Sequence, residues 1–104
     1  MITAHVRIDY RESDNPIATA DGTRKMLGFI ERLGGKSAPA GVRPIYVAWK
    51  DQRPPSGFAF FECDDLGQLR DLLAELPNNP RVEIAEVHDL ETMAERAARR
   101  LAEA

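Results

Sequence analysis

The first ten residues alternate. Ile2, Ala4, Val6, Ile8 and Tyr10 fall on one side of an extended chain, and Thr3, His5, Arg7 and Asp9 fall on the other. That period of two predicts a half-buried strand. Residues 11–22 are polar, and Asn15-Pro16 offers a helix start with proline at its first position, although Gly22 leaves that start open. From Thr23 the period lengthens. Met26, Leu27, Ile30 and Leu33 recur at helical spacing, with Arg24, Lys25, Glu31 and Arg32 outward. Gly34-Gly35 ends this helix, because glycine accepts the left-handed conformation of a C-terminal cap. A loop over Lys36–Arg43 leads to a β-branched and aromatic run, Pro44–Lys50, which predicts a second strand. Asp51–Gly57 is turn chemistry, so Phe58–Cys63 returns as a third strand in a hairpin. Asp65 with Gln68 three residues on reads as a capping box, and Leu66, Leu69, Leu72, Leu73 and Leu76 lay down an apolar helical stripe. Pro77-Asn78-Asn79-Pro80 stops it. Arg81–His88 is a fourth strand with apolar residues on both parities. Asp89 then caps a last helix whose Leu90, Met93, Ala94, Ala97 and Leu101 are expected to point inward. Glu91 near its start and Arg96, Arg99 and Arg100 near its end suit the helix dipole.

The order β-α-β-β-α-β, followed by a helix, predicts an α+β fold. With right-handed crossovers it is the ferredoxin-like arrangement: an antiparallel four-stranded sheet in the order 4-1-3-2 with two helices on one face. The 104 residues are room for one domain, taken as 1–104. Seventeen acidic against fourteen basic residues give a net charge of −3, so no basic field draws a phosphate backbone and nucleic acid is disfavoured as a partner. Cys63 is the single cysteine, which rules out an intrachain disulfide and suits a reducing cytoplasm. The alternating N-terminus does not read as a signal peptide. No run approaches the eighteen apolar residues of a membrane span.

If Ala4, Val6 and Ile8 turn toward the helices, His5, Arg7 and Asp9 turn away. Three phenylalanines within four residues mean that strand three cannot hide them all. Phe58 and Phe60 are expected outward, since Ala59 is small enough to lie under a crossing helix. Trp49 and Tyr46 fall on opposite faces of strand two, and the hairpin register leaves open which of them joins the uncovered face. An open aromatic patch at the centre of a sheet demands a cover: a second copy, a ligand or stacked bases.

Two resemblances bear on that cover. The run Gly57–Asp65, the leucine helix after it and Val82–Val87 resemble the small dimeric α+β-barrel proteins, which include muconolactone isomerases, cofactor-independent antibiotic-biosynthesis monooxygenases and polyketide cyclases. The likeness runs through the order of elements over nearly the whole chain, and its local motif is weak. It implies a homodimer whose two sheets meet face to face, and it carries over no fixed catalytic residue. Ser56–Cys63 is also similar to the aromatic strand-three signature of RNA-recognition motifs, in which Phe58 and Phe60 stack on bases. It departs at Ser56, where a basic residue is usual, and at Cys63, where an aromatic is usual.

The candidate site follows from these placements. A His5/Arg7/Asp9 row lining a closed cavity would serve a small acidic or enolic substrate: His5 as general base, Arg7 as stabiliser of the anion or enolate, Asp9 as the group orienting them. Trp49, Phe58 and Phe60 form its expected apolar wall. His5, Glu62 and His88 are expected to gather at one end of the face, but their spacing lacks a dedicated ligand signature and no metal or cofactor is assigned. The plainer readings are an Arg7–Asp9 ion pair, or cross-strand pairs at a polar dimer seam, a helix-capping His88, and Cys63 as a small buried hydrophobe. The first functional expectation is a cytoplasmic homodimer binding a small aromatic or carbonyl compound, as a cofactor-independent isomerase, cyclase or monooxygenase. The alternatives are a non-catalytic dimerising module and a binder of single-stranded RNA.

Overall fold

The protein is described by a computed structural model over residues 1–34 and 39–104. Gly35 of the expected glycine cap, and residues 36–38 of the loop after it, lie outside the described residues. Strand β1 spans Ile2–Asp9, helix α1 Ala20–Gly34, strand β2 Val42–Lys50 and strand β3 Ser56–Cys63. Helix α2 spans Leu66–Leu73, strand β4 Arg81–Glu86 and helix α3 Leu90–Glu103. Two short 3-10 turns, Glu12–Asp14 and Pro16–Ala18, replace the single helix start suggested at Pro16. The strands form one antiparallel sheet in the order β2-β3-β1-β4.

The β1–β3 register sets Val6 opposite Ala59, Ala4 opposite Phe61 and Ile2 opposite Cys63. Those residues, with Ile8, share the face that α2 covers with Leu69, Leu72 and Leu73 and that α1 reaches with Phe29. Asp65 caps α2 as the sequence suggests: its carboxylate accepts the Gln68 backbone N–H at 2.9 Å.

Two helices sit differently from the stripes expected of them. In α1 the core-facing set is Met26, Phe29 and Leu33, with Gly22 a turn earlier, while Leu27 and Ile30 are 59% and 55% exposed. A 3.6-residue period fits either stripe. The choice falls to Phe29, the largest apolar group available, and to Gly22, whose lack of a side chain lets the helix start press on the Pro16 carbonyl. Thr19 caps that start, its hydroxyl accepting the Gly22 N–H at 3.0 Å.

Helix α3 corrects the expectation more sharply. None of its residues is buried: Leu90 is 87%, Met93 58% and Leu101 79% exposed. Ala94 and Ala97 are exposed too. Amphipathic spacing says that a helix has an apolar side; it does not say that the helix must pack on its own subunit. The radius of gyration, 16.4 Å, exceeds the roughly 13 Å of a compact chain of this length, as a projecting helix requires. Among the described residues no helix is long and apolar enough to cross a membrane.

One long-range clamp ties the strand ends to the helix layer. The buried Tyr10 hydroxyl donates to the Pro77 carbonyl at 2.7 Å, joining the end of β1 to the chain leaving α2. Burial pushes this phenol from 10.0 up to about 12. The folded state therefore holds the proton more tightly than the unfolded chain. The resulting stability is whole below pH 10 and is lost as pH rises through about 12.

Gly22→Ala drives a methyl group against the Pro16 carbonyl, a backbone atom that cannot swing away. It should cost about 1–3 kcal/mol in urea unfolding. Tyr10→Phe should cost about 1–3 kcal/mol at neutral pH by orphaning the Pro77 carbonyl. The same unfolding measured from pH 10 to 12 should show the gap to wild type closing, because only the wild type has the hydroxyl to lose.

Candidate functional site

Opposite the helices, β1 presents Thr3, His5, Arg7 and Asp9, and β3 presents Phe58, Phe60 and Glu62 as their cross-strand partners. His5 stands opposite Phe60 and Arg7 opposite Phe58. The His5 ring meets Phe60 edge-on at 5.1 Å between centroids and lies nearly parallel to Phe58 at 6.5 Å. Both arrangements suit aromatic quadrupoles. Among the described residues the His5 side chain makes no hydrogen bond.

Arg7 and Asp9 are committed to each other. Arg7 Nε lies 2.8 Å from Asp9 Oδ2, and the second carboxylate oxygen accepts the Ser56 hydroxyl at 2.8 Å. Ser56 is buried and faces Asp9 across the β1–β3 ladder. The plain ion-pair reading of Arg7 and Asp9 is therefore realised, and the pair holds the Arg7 guanidinium in place on the open face. Glu62 is held in the same way by Arg43 at 2.7 Å.

Strand two contributes Tyr46. The sheet has a bulge in β2: Pro44 pairs with Phe61 but Tyr46 pairs with Phe60, leaving Ile45 as the extra residue. The bulge switches parity along the strand. Tyr46 and Ala48 join the open face, where the Tyr46 ring lies 6.0 Å from Phe58. Trp49 pairs with Gly57 on the helix-covered side, close to Tyr10 at 5.9 Å, and is absent from the aromatic wall expected of it. Its ring lies so near Gly57 that an added Cβ would come within 2.5 Å of it.

His88 does not join His5 and Glu62. It follows β4 and reaches Glu86 at 3.7 Å; Glu86 pairs with Ala4, in the row that faces the helices. Among the described residues no group of three or more His, Cys, Asp or Glu is placed to hold a metal ion. Cys63 is wholly buried. Burial first, and then Asp65, Asp64 and Glu86, push its thiol up, so it stays protonated and serves as packing.

Sequence reasoning passed over Ser56 and left open which of Tyr46 and Trp49 joins the open face. Ser56 was legible in principle, since any register placing Phe58 beside Arg7 puts residue 56 beside Asp9. Tyr46 was not, because the bulge that turns it outward leaves no plain mark in the alternation.

Comparison with known proteins gives no match among family models, curated proteins or solved structures.

Ser56→Ala removes one of the two anchors of Asp9. The expected cost is about 1 kcal/mol in chemical denaturation, at the low end for a charge-assisted bond because Asp9 keeps some contact with water.

Proposed function

We propose that the chain is a ferredoxin-like subunit of a homodimer in which two open sheet faces meet. Between them lies a chamber for a small aromatic or carbonyl compound. The observation that carries this reading is the composition of the face itself. One row holds an imidazole without a hydrogen-bond partner among the described residues, flanked by Phe58 and Phe60 and followed by an arginine fixed on a carboxylate. The strand order supports the subunit architecture.

The chemistry that such a row favours is cofactor-independent proton transfer. His5 removes a proton from the carbon beside a carbonyl, the electron pair moves onto the carbonyl oxygen, and Arg7 meets the enolate charge. Return of the proton to a different carbon gives the isomer, and attack of the enolate carbon on a second carbonyl gives ring closure. Asp9, already engaged by Ser56 and Arg7, is a positioning residue. Phe58, Phe60 and Tyr46 give a flat substrate its apolar walls.

The satisfied Arg7–Asp9 pair also favours a second reading, a non-catalytic dimerising module in which the same aromatics are interface alone. A thermal-shift screen against aromatic acids and quinones, combined with sedimentation equilibrium, separates the two. The first reading expects a dimer stabilised by at least one compound, with the shift abolished in His5→Ala and Arg7→Ala and any turnover reduced at least about 100-fold in His5→Ala. A dimer that ignores every compound supports the module. A monomer at all concentrations removes both.

A further inference from the structure

The arginines of the open face are matched one for one by carboxylates. Arg7 meets Asp9 at 2.8 Å and Arg43 meets Glu62 at 2.7 Å. Strand β4 adds Arg81 opposite Asp9 and Glu83 opposite Arg7, and these two are joined at 2.8 Å. Arg7 is the most heavily compensated of the three. It touches Asp9 on its own strand and has Glu83 as its cross-strand neighbour, with Cβ atoms at the roughly 5 Å that such pairs adopt. Among the described residues Lys50 is the one strand cation of this face without an ion pair. It stands in the Ser56 row, four residues along β3 from the row of Phe60 and His5, roughly 13 Å away. Around His5 and Phe60, therefore, no cation is left unmatched, and the whole chain carries a net charge of −3.

We infer that Asp9 makes the His5, Phe58 and Phe60 surface select uncharged carbonyl compounds over their carboxylate counterparts, by cancelling the Arg7 charge that a carboxylate would seek. This rests on the reading of the open face as a ligand site given above, and it requires no particular oligomeric state. A carboxylate laid over Phe58 gives up its water beside a guanidinium that Asp9 already neutralises, and it meets the Asp9 charge as well. A ketone, ester or quinone gives up far less water. Its oxygen accepts a hydrogen bond from the guanidinium N–H groups that Asp9 leaves free, and it brings no charge to oppose Asp9. The Arg7 and Asp9 side chains are 59% and 31% exposed, so water screens the effect on the bare face. A flat ligand excludes that water and sharpens the discrimination. Asp9 is fixed for this role from below, since its other oxygen accepts the hydroxyl of the buried Ser56 at 2.8 Å.

The test uses a matched pair of aromatic ketones, methyl para-acetylbenzoate and para-acetylbenzoate, which at neutral pH differ by one negative charge. Each is titrated into the full-length protein and followed by the backbone amide NMR signals of His5, Arg7, Phe58 and Phe60. The ester is expected to bind about tenfold more tightly than the acid. In Asp9→Asn that ratio should fall to about one or reverse. The amide keeps the shape of the side chain and still accepts the Ser56 hydroxyl, but it no longer cancels Arg7. A merely structural role for Asp9 would weaken both ligands together and leave their ratio unchanged, and that result overturns the inference. An acid that binds the wild type as tightly as the ester also overturns it, and leaves the open face standing as a ligand site. Ester at its solubility limit that moves none of the four signals removes the ligand site and the inference with it.

Discussion

Pairing Val6 with Ala59 places every other residue of β1 and β3. In that register Ala4, Val6 and Ile8 stand with Ala59, Phe61 and Cys63 beneath the helices, while His5, Arg7 and Asp9 stand with Phe58, Phe60 and Ser56 on the other side. A slip of one residue would exchange the rows, putting an arginine and an aspartate against the leucines of α2 and leaving Val6 in water. Unpaired burial of those charges costs far more than any gain on the open face. The core therefore fixes the composition of the open face.

What the helices leave uncovered is uneven in character. The central strands carry an apolar and aromatic zone, and toward one end the Arg7–Asp9–Ser56 group adds charge. In water such a pair adds little to stability, since Arg7 is well exposed and its ionic attraction is screened. Enclosed beside a second aromatic surface, the same charges would interact more strongly, and the Ser56 hydroxyl would hold Asp9 in place without reorganisation. The strength of the Arg7–Asp9–Ser56 group thus depends on how much water reaches it.

The central sheet and its two covering helices were legible because their signals agree at several levels. Alternation in β1, the leucine stripe of α2 and the Asp65 cap all point the same way, and so the outward placement of Phe58 and Phe60 could be argued before any coordinates. The failures come where one signal has two solutions. In α1 the stripes through Phe29 and through Ile30 are both periodic, and only contact with Pro16 and β2 chooses between them. In β2 the bulge at Ile45 breaks parity, which sends Trp49 to the covered side and Tyr46 to the open one. In α3 the periodicity is sound, yet its apolar side meets no core within the subunit. His88 was misplaced because apolar residues on both parities hid the facing of strand four; Val82, Ile84 and Glu86 stand in the row that faces the helices, and β4 ends at Glu86.

These failures are related. Ile30 turned off the core, Val47 and Trp49 turned to the helix side by the bulge, and the α3 stripe left in water are all unburied. A single misjudged stripe would be an accident of local packing. Apolar side chains left outside a closed core in two places, the α1–β2 groove and the α3 stripe, describe a chain with more hydrophobic surface than that core holds. Their placement at opposite sheet edges decides how the excess can be buried. One small ligand cannot cover both, since β3 and β1 stand between the two edges.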